Sequence, residues 1–134
     1  MENIRFVKMH GLGNDFVIID SREKSISLQP ELIKELAHRN CGVGFDQLAI
    51  IFKSNDKKVD EYLKFWNSDG SQSFTCGNAT RCIAQLLMDE KRVKSLKLLT
   101  DHTILHCKRD KDGEIFVNMG KPNFVWSDIP LAYK

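Results

Sequence analysis

The sequence predicts an α+β fold in which a β-sheet wraps around one apolar helix. Three observations carry this. About seven short segments have the alternation or the β-branched content of strands. Two segments repeat apolar residues at helical spacing. The helix that follows Cys76 is the more apolar of the two, so it is the one the sheet has to cover.

Residues 4–9 alternate and read as a strand, and residues 16–20 form a second, β-branched strand. The glycine-containing loop His10-Gly11-Leu12-Gly13-Asn14-Asp15 between them suggests a hairpin. Pro30 suits the first turn of a helix that continues through Leu32, Ile33, Leu36 and Ala37, and the run from Arg39 to Gly44 stops it. Residues 47–52 and 62–67 read as strands, the second ending at the turn Ser68-Asp69-Gly70-Ser71. The apolar helix runs from Cys76 to about Glu90, with Cys82, Ile83, Leu86 and Leu87 on one stripe. Residues 96–100, 103–108 and 114–119 give three more strands, the last two joined by Asp110-Lys111-Asp112-Gly113. The chain thus divides into one domain over residues 1–119 and an irregular tail over 120–134 that contains Pro122 and Pro130.

Composition narrows the function. Of 134 residues, 42% are hydrophobic and 28% charged, which suits a globular core. Lys and Arg number 20 against 18 Asp and Glu, and a net charge of +2 is too small to imply nucleic acid or an anionic membrane as partner. The longest apolar runs, residues 16–19 and 48–52, are far short of a membrane span, and residues 1–10 lack the apolar core of a signal peptide. A soluble, cytoplasmic protein is expected, with Cys41, Cys76, Cys82 and Cys107 as reduced thiols.

Three segments have the residue types for chemistry. Gly11-Leu12-Gly13-Asn14-Asp15 lacks the third glycine of a dinucleotide fingerprint and the lysine of a P-loop, and it leads into a strand where both need a helix. Gly42-Val43-Gly44-Phe45-Asp46-Gln47 reads as a turn that feeds two polar groups into an apolar strand. The most informative is Cys76-Gly77-Asn78-Ala79-Thr80-Arg81-Cys82. A cysteine at a helix start meets unpaired backbone N–H groups and the positive end of the helix dipole, which favour a thiolate. The same N–H groups can hold a carboxylate. By position alone Cys76 is equally well a buried structural thiol. Cys82 lies on the apolar stripe and belongs to the core. No C-x-x-C or HExxH spacing occurs, so His10, His38, His102 and His106 read as surface or structural residues and no metal is expected.

Taken together, Lys8-Met9-His10-Gly11-Leu12-Gly13-Asn14-Asp15-Phe16, Gly42-Val43-Gly44-Phe45-Asp46-Gln47, Phe65-Trp66-Asn67-Ser68-Asp69-Gly70 and Cys76-Gly77-Asn78-Ala79-Thr80-Arg81-Cys82 resemble the N-terminal half of the diaminopimelate epimerases in order and spacing. Val117-Asn118-Met119-Gly120 with Pro122 extends the resemblance over essentially the whole chain.

The resemblance implies a fold of two similar α+β domains, each a mixed, mostly antiparallel sheet closing around a central helix, with the substrate between them. It implies interconversion of L,L- and meso-diaminopimelate, a step towards lysine and peptidoglycan, without pyridoxal phosphate or any other cofactor. One cysteine removes the α-proton and a second, on the opposite face, delivers another. Cys76 matches the first of these. Gly77 and Asn78 match ligands of the α-carboxylate end, and Asn14, Gln47 and Asn67 match substrate-contacting side chains.

Two departures stand out. Ala79 occupies a position where the family usually has glycine, so a methyl could crowd the carboxylate. The sequence ends at Lys134, near where a second domain and its cysteine are expected. The expected partners are therefore diaminopimelate and a C-terminal domain, with a homodimer also allowed. The chain alone is expected to be inactive and to expose an apolar interface face. Two other readings are another cysteine-pair amino-acid racemase, such as a proline racemase relative, and a stand-alone half that binds a ligand or a partner. The amide set of Asn14, Gln47 and Asn67 favours diaminopimelate, whose distal amino acid needs polar partners.

Overall fold

A computed structural model describes residues 3–122 and 124–128. The elements are β1 (Val7–Gly11), β2 (Asn14–Asp20), α1 (Pro30–Ala37), β3 (Gln47–Lys53), β4 (Glu61–Asn67), β5 (Gln72–Ser73), α2 (Gly77–Lys91), β6 (Ser95–Leu99), β7 (Ile104–Arg109) and β8 (Ile115–Asn118), followed by a 3-10 turn (Trp126–Asp128). That turn lies in the segment read as an irregular tail; Pro130, the other residue noted there, lies outside the described residues.

All eight strands form one sheet in the order β1-β2-β3-β4-β6-β7-β8, with β5 added to β4. Two neighbouring pairs are parallel, β2 with β3 and β4 with β6, and the others are antiparallel. Each parallel pair is connected through a helix: α1 joins β2 to β3, and α2 lies between β4 and β6. Because β3 and β4 are antiparallel, the two parallel pairs run in opposite directions while stepping the same way across the sheet. Right-handed crossovers then place the two helices on opposite faces.

The core is divided accordingly. Phe16, Ile18, Ala49, Ile51, Leu63 and Phe65 pack with Ala79, Ile83, Leu87 and Met88 of α2. Val17, Ile19, Leu48 and Ile50 pack with Ile33 and Ala37 of α1. Since α2 also touches β1 and β8, at the two ends of the strand order, the sheet curls around it as a half-barrel.

Several elements differ from the sequence expectation in extent. The β1–β2 hairpin is tighter: Gly11 pairs with Asn14 across only Leu12 and Gly13, whose φ values of 55 and 81° suit a type I′ turn. Asn14 is therefore a strand residue and not part of a loop. β1 starts at Val7, later than the alternation from Ile4 suggests. The two-residue β5 is too short to leave a periodic signal.

Between β4 and β6 the sheet is narrow, with only Glu61–Leu98 and Tyr62–Leu99 in register. The backbone of Asp60 adds a hydrogen bond to Lys97 O of 2.8 Å. Glu61 is buried there, and its carboxylate accepts from Lys91 Nζ at 2.8 Å, tying the end of α2 to this seam.

The end of α1 explains the glycine-rich segment. The last carbonyls of a helix have no helical donor, and this loop folds back to supply several. Gly42 N–H donates to His38 O (2.8 Å), Gly44 N–H to Leu36 O (3.0 Å) and Phe45 N–H to Ala37 O (3.4 Å). The approach is so close that a Cβ on Gly42 would lie 2.4 Å from Glu35 O and 2.5 Å from Leu36 O. Gly42→Ala is expected to destabilise the chain by about 1–3 kcal/mol through this overlap. Urea unfolding of the two proteins measures it, and an unchanged midpoint would show that the loop does not pack on α1 as described.

Candidate active site

The alternation that puts Phe16, Ala49 and Phe65 against α2 also places Asn14, Gln47 and Asn67 on the α2 face, since each lies two residues along its strand from one of them. The register brings them to the same end of the sheet: Phe16 is aligned with Gln47, and Gln47 lies directly opposite Asn67. Gln47 Nε2 donates to Asn67 Oδ1 at 3.1 Å and to Ser73 Oγ at 3.4 Å, while Asn67 Nδ2 donates to Ser71 Oγ at 3.1 Å.

Cys76 is the N-cap of α2, with extended backbone angles (φ −146°, ψ 109°). Its sulfur accepts from Ala79 N–H at 3.5 Å, and its carbonyl accepts from Thr80 N–H and Oγ1 at 2.9 and 2.7 Å. These bonds fix the half-buried sulfur at the mouth of the helix. Asn14 Oδ1 lies 3.9 Å from Cys76 Sγ and accepts from Asn78 Nδ2 at 3.4 Å. Asn14, Cys76 and Asn78 thus form one cluster, and Gln47 with Asn67 a second that is joined to it through the β2–β3 pairing. Gly77 begins the helix, and a Cβ there would meet only Met119 Sδ at an ordinary 3.7 Å. Ala79 is fully buried in the core, so its methyl points away from the helix mouth and does not crowd it.

Five charged neighbours of this site carry no periodic signal in the sequence. Asp46 Oδ2 accepts from Asn14 Nδ2 at 3.0 Å, and Arg81 donates to Asn78 Oδ1. Arg39 grips Asp15 with both nitrogens (3.0 and 2.8 Å) and reaches Asp46 Oδ1 at 3.0 Å, while Lys8 Nζ donates to Asp15 Oδ2 at 2.8 Å. Arg39 above all, and then Lys8, hold the Asp15 carboxyl far below the usual carboxylate range against the opposing effect of burial.

The other thiols separate clearly. Burial pushes Cys82 up from its ordinary value and Cys107 up to about 11. Cys41 is exposed on the loop after α1. Among the described residues, no three His, Cys, Asp or Glu side chains cluster as a metal would require. No helix among them is long and apolar enough to cross a membrane. Around the helix mouth, Leu12 is 93% exposed, Phe74 64% and Met119 46%.

Residues 6–125 match the family described as diaminopimelate epimerase. The chain belongs to the diaminopimelate epimerase family. It is 40% identical over 128 residues to the diaminopimelate epimerase of Rhodospirillum centenum, a match covering 96% of this chain and 44% of that protein. It is 41% identical over 128 residues to that of Zymomonas mobilis, covering 96% and 45%. The chain therefore spans about half the length of these relatives. Among solved structures, a hydroxyproline epimerase from Agrobacterium vitis is similar with a TM-score of 0.62 at 10% identity, over 84% of this chain and 40% of that one. At that identity the likeness concerns the fold alone.

Access and burial together give an order of thiol reactivity for this epimerase-family chain. Exposed Cys41 and half-buried Cys76 are expected to react with iodoacetamide near neutral pH faster than Cys82 and Cys107, whose burial both limits access and disfavours the thiolate. Exposure alone does not make Cys76 the fastest, because Cys41 is the more open thiol. Peptide mapping over time reads all four. Labelling of Cys82 as fast as Cys76 would mean that α2 starts elsewhere.

Proposed function

We propose that this chain is the first half of a cofactor-independent epimerase that interconverts L,L- and meso-diaminopimelate, with Cys76 as the acid/base on one face of the α-carbon. The observation that carries this is the sulfur at the N-terminus of α2, flanked by the amides of Asn14 and Asn78 and by the first-turn N–H groups of Gly77 and Asn78, which have no acceptor within the helix. Those N–H groups suit the substrate's α-carboxylate, and a glycine at the first position leaves that approach open.

Removal of an α-proton breaks a C–H bond, forms S–H on Cys76 and leaves a carbanion. Donors fixed on the carboxylate stabilise that charge as it develops. A second acid on the opposite face must then supply a proton to invert the centre. Gln47 and Asn67, as amides, can accept from the distal ammonium and donate to the distal carboxylate.

In this reading residues 1–119 are one domain, residues 120–134 lead towards a second, and the second acid belongs to the part of the relatives that this chain does not span. The exposed Leu12, Phe74 and Met119 are where that domain would close, excluding water from the carbanion. The reaction serves lysine and peptidoglycan synthesis in the cytoplasm.

Two measurements test the reading. The 134-residue chain is expected not to invert L,L-diaminopimelate, because one base on one face can only exchange the proton with retention; turnover near 1 per second, an ordinary enzyme rate, would refute this division of labour. L,L-diaminopimelate titrated through the millimolar range is expected to slow alkylation of Cys76 and leave Cys41 unchanged. Protection of neither thiol would count against diaminopimelate as the ligand.

A further inference from the structure

We propose that Asp46 and Arg81 are positioning residues that decide which end of the Asn14 and Asn78 amides faces Cys76. An amide side chain is ambiguous by shape, since its oxygen and nitrogen are nearly the same size and only their hydrogen-bonding differs. At this site two charges remove the ambiguity. An ionised carboxylate only accepts, so Asn14 turns its NH2 group to Asp46 (Nδ2 to Oδ2, 3.0 Å). That leaves Asn14 Oδ1 on the side of Cys76 Sγ at 3.9 Å and Asn78 Nδ2 at 3.4 Å. A guanidinium only donates, so Asn78 turns its oxygen to Arg81 and keeps its NH2 group for Asn14. The outcome is a one-way hydrogen-bond chain from Arg81 through Asn78 and Asn14 to Asp46. Arg39 anchors its far end by donating to Asp46 Oδ1 at 3.0 Å.

The sulfur consequently faces an amide oxygen and not an amide N–H. A reversed Asn14 would offer it an N–H and favour the anion. For a group that must both take and give a proton, amide direction tunes the balance between its two forms. That consequence rests on Cys76 being the proton-transfer group. The amide geometry itself does not, and it is read without substrate. The other charged and titratable groups around the chain of amides stay constant in the test: Cys82 on α2, His10 on β1, Asp15 on β2, Arg39 before β3 and Glu114 before β8.

The experiment is the pH profile of Cys76 alkylation by iodoacetamide in the 134-residue chain, with Cys41 of the same molecule as reference. It compares the unaltered chain, Asp46→Asn, Asn14→Ala and the double variant. Asp46→Asn is expected to move the Cys76 midpoint down by about half a pH unit, a roughly threefold faster reaction below the midpoint. The shift is expected to vanish in the Asn14→Ala background, because it is transmitted through that amide. A shift of equal size in both backgrounds would show a plain charge effect and overturn the proposal, as would no shift at all. Continued protection of Cys82 and Cys107 reports that each variant is folded. Should Asp46→Asn not fold, NMR of the unaltered chain decides. Proximity of the Asn14 NH2 protons to Asp46, and of the Asn78 NH2 protons to Asn14, supports the proposal; proximity of the Asn14 NH2 protons to Cys76 overturns it. If these results hold while diaminopimelate fails to protect Cys76, the substrate reading falls and the positioning role stands.

Discussion

The strand pair β2 and β3 is buried on both faces, and the rest of the structure is arranged around that constraint. Phe16, Val17, Ile18 and Ile19 run beside Leu48, Ala49, Ile50 and Ile51, and all eight are within the core. Odd and even positions go to different helices, so a slip of one residue would exchange the side chains sized for α2 with those sized for α1. The register is therefore set by packing over the whole length of the pair. Residues at the strand ends inherit that register although they contribute little to it. Asn14 and Gln47 are held in place by the apolar residues that follow them, and Asn67 by its pairing with Gln47.

The site joins two kinds of backbone. The sheet end contributes side-chain amides at fixed spacing, and the helix contributes the sulfur and a set of directed N–H groups. Groups carried on paired strands and a capped helix are better preorganised than the same groups on loops. On the opposite face of β2, the Arg39, Lys8, Asp15 and Asp46 cluster closes the loop after α1 onto the hairpin. One ion cluster thus links the outer layer to Asn14 on the inner one, through the carboxylate of Asp46.

Much of this was legible in the sequence where the signal is local. The two helices announce themselves through apolar spacing, through Pro30, and through the small residues that follow Cys76. The burial of Cys82 followed from the helical stripe. Signals that depend on pairing were harder to read. The alternation of Ile4 and Phe6 continues past the point where β1 meets its neighbour, and periodicity cannot tell a paired strand from an unpaired extension. The Asp15 and Asp46 partnership spans 31 residues and obeys no period. Asn14, Gln47 and Asn67 came from resemblance rather than from pattern. Their common face became derivable only once the register was known. Cys41 shows a different limit: its place near a helix end suggests a disfavoured anion, but its openness to solvent is a tertiary property.

The narrow seam between β4 and β6 divides the sheet into unequal parts. On one side are β1 to β5, and on the other the meander of β6, β7 and β8, whose strands pair over five positions between β6 and β7 and four between β7 and β8. Strand pairing across the seam is confined to two positions and the Asp60 bond, and side chains add to it: Lys97 N–H donates to Asp60 Oδ2, Gln72 Nε2 donates to Asp101 Oδ2, and Leu96, Leu98, Leu105 and Cys107 pack in the core with α2. The meander is thus held to the rest of the fold by packing on α2 more than by strand pairing. The Glu61 tie joins the seam to the C-terminal end of α2, while Cys76 caps the opposite end. The narrow part of the sheet is thus tied to one terminus of α2 and the candidate site lies at the other, about 20 Å away at 1.5 Å per residue.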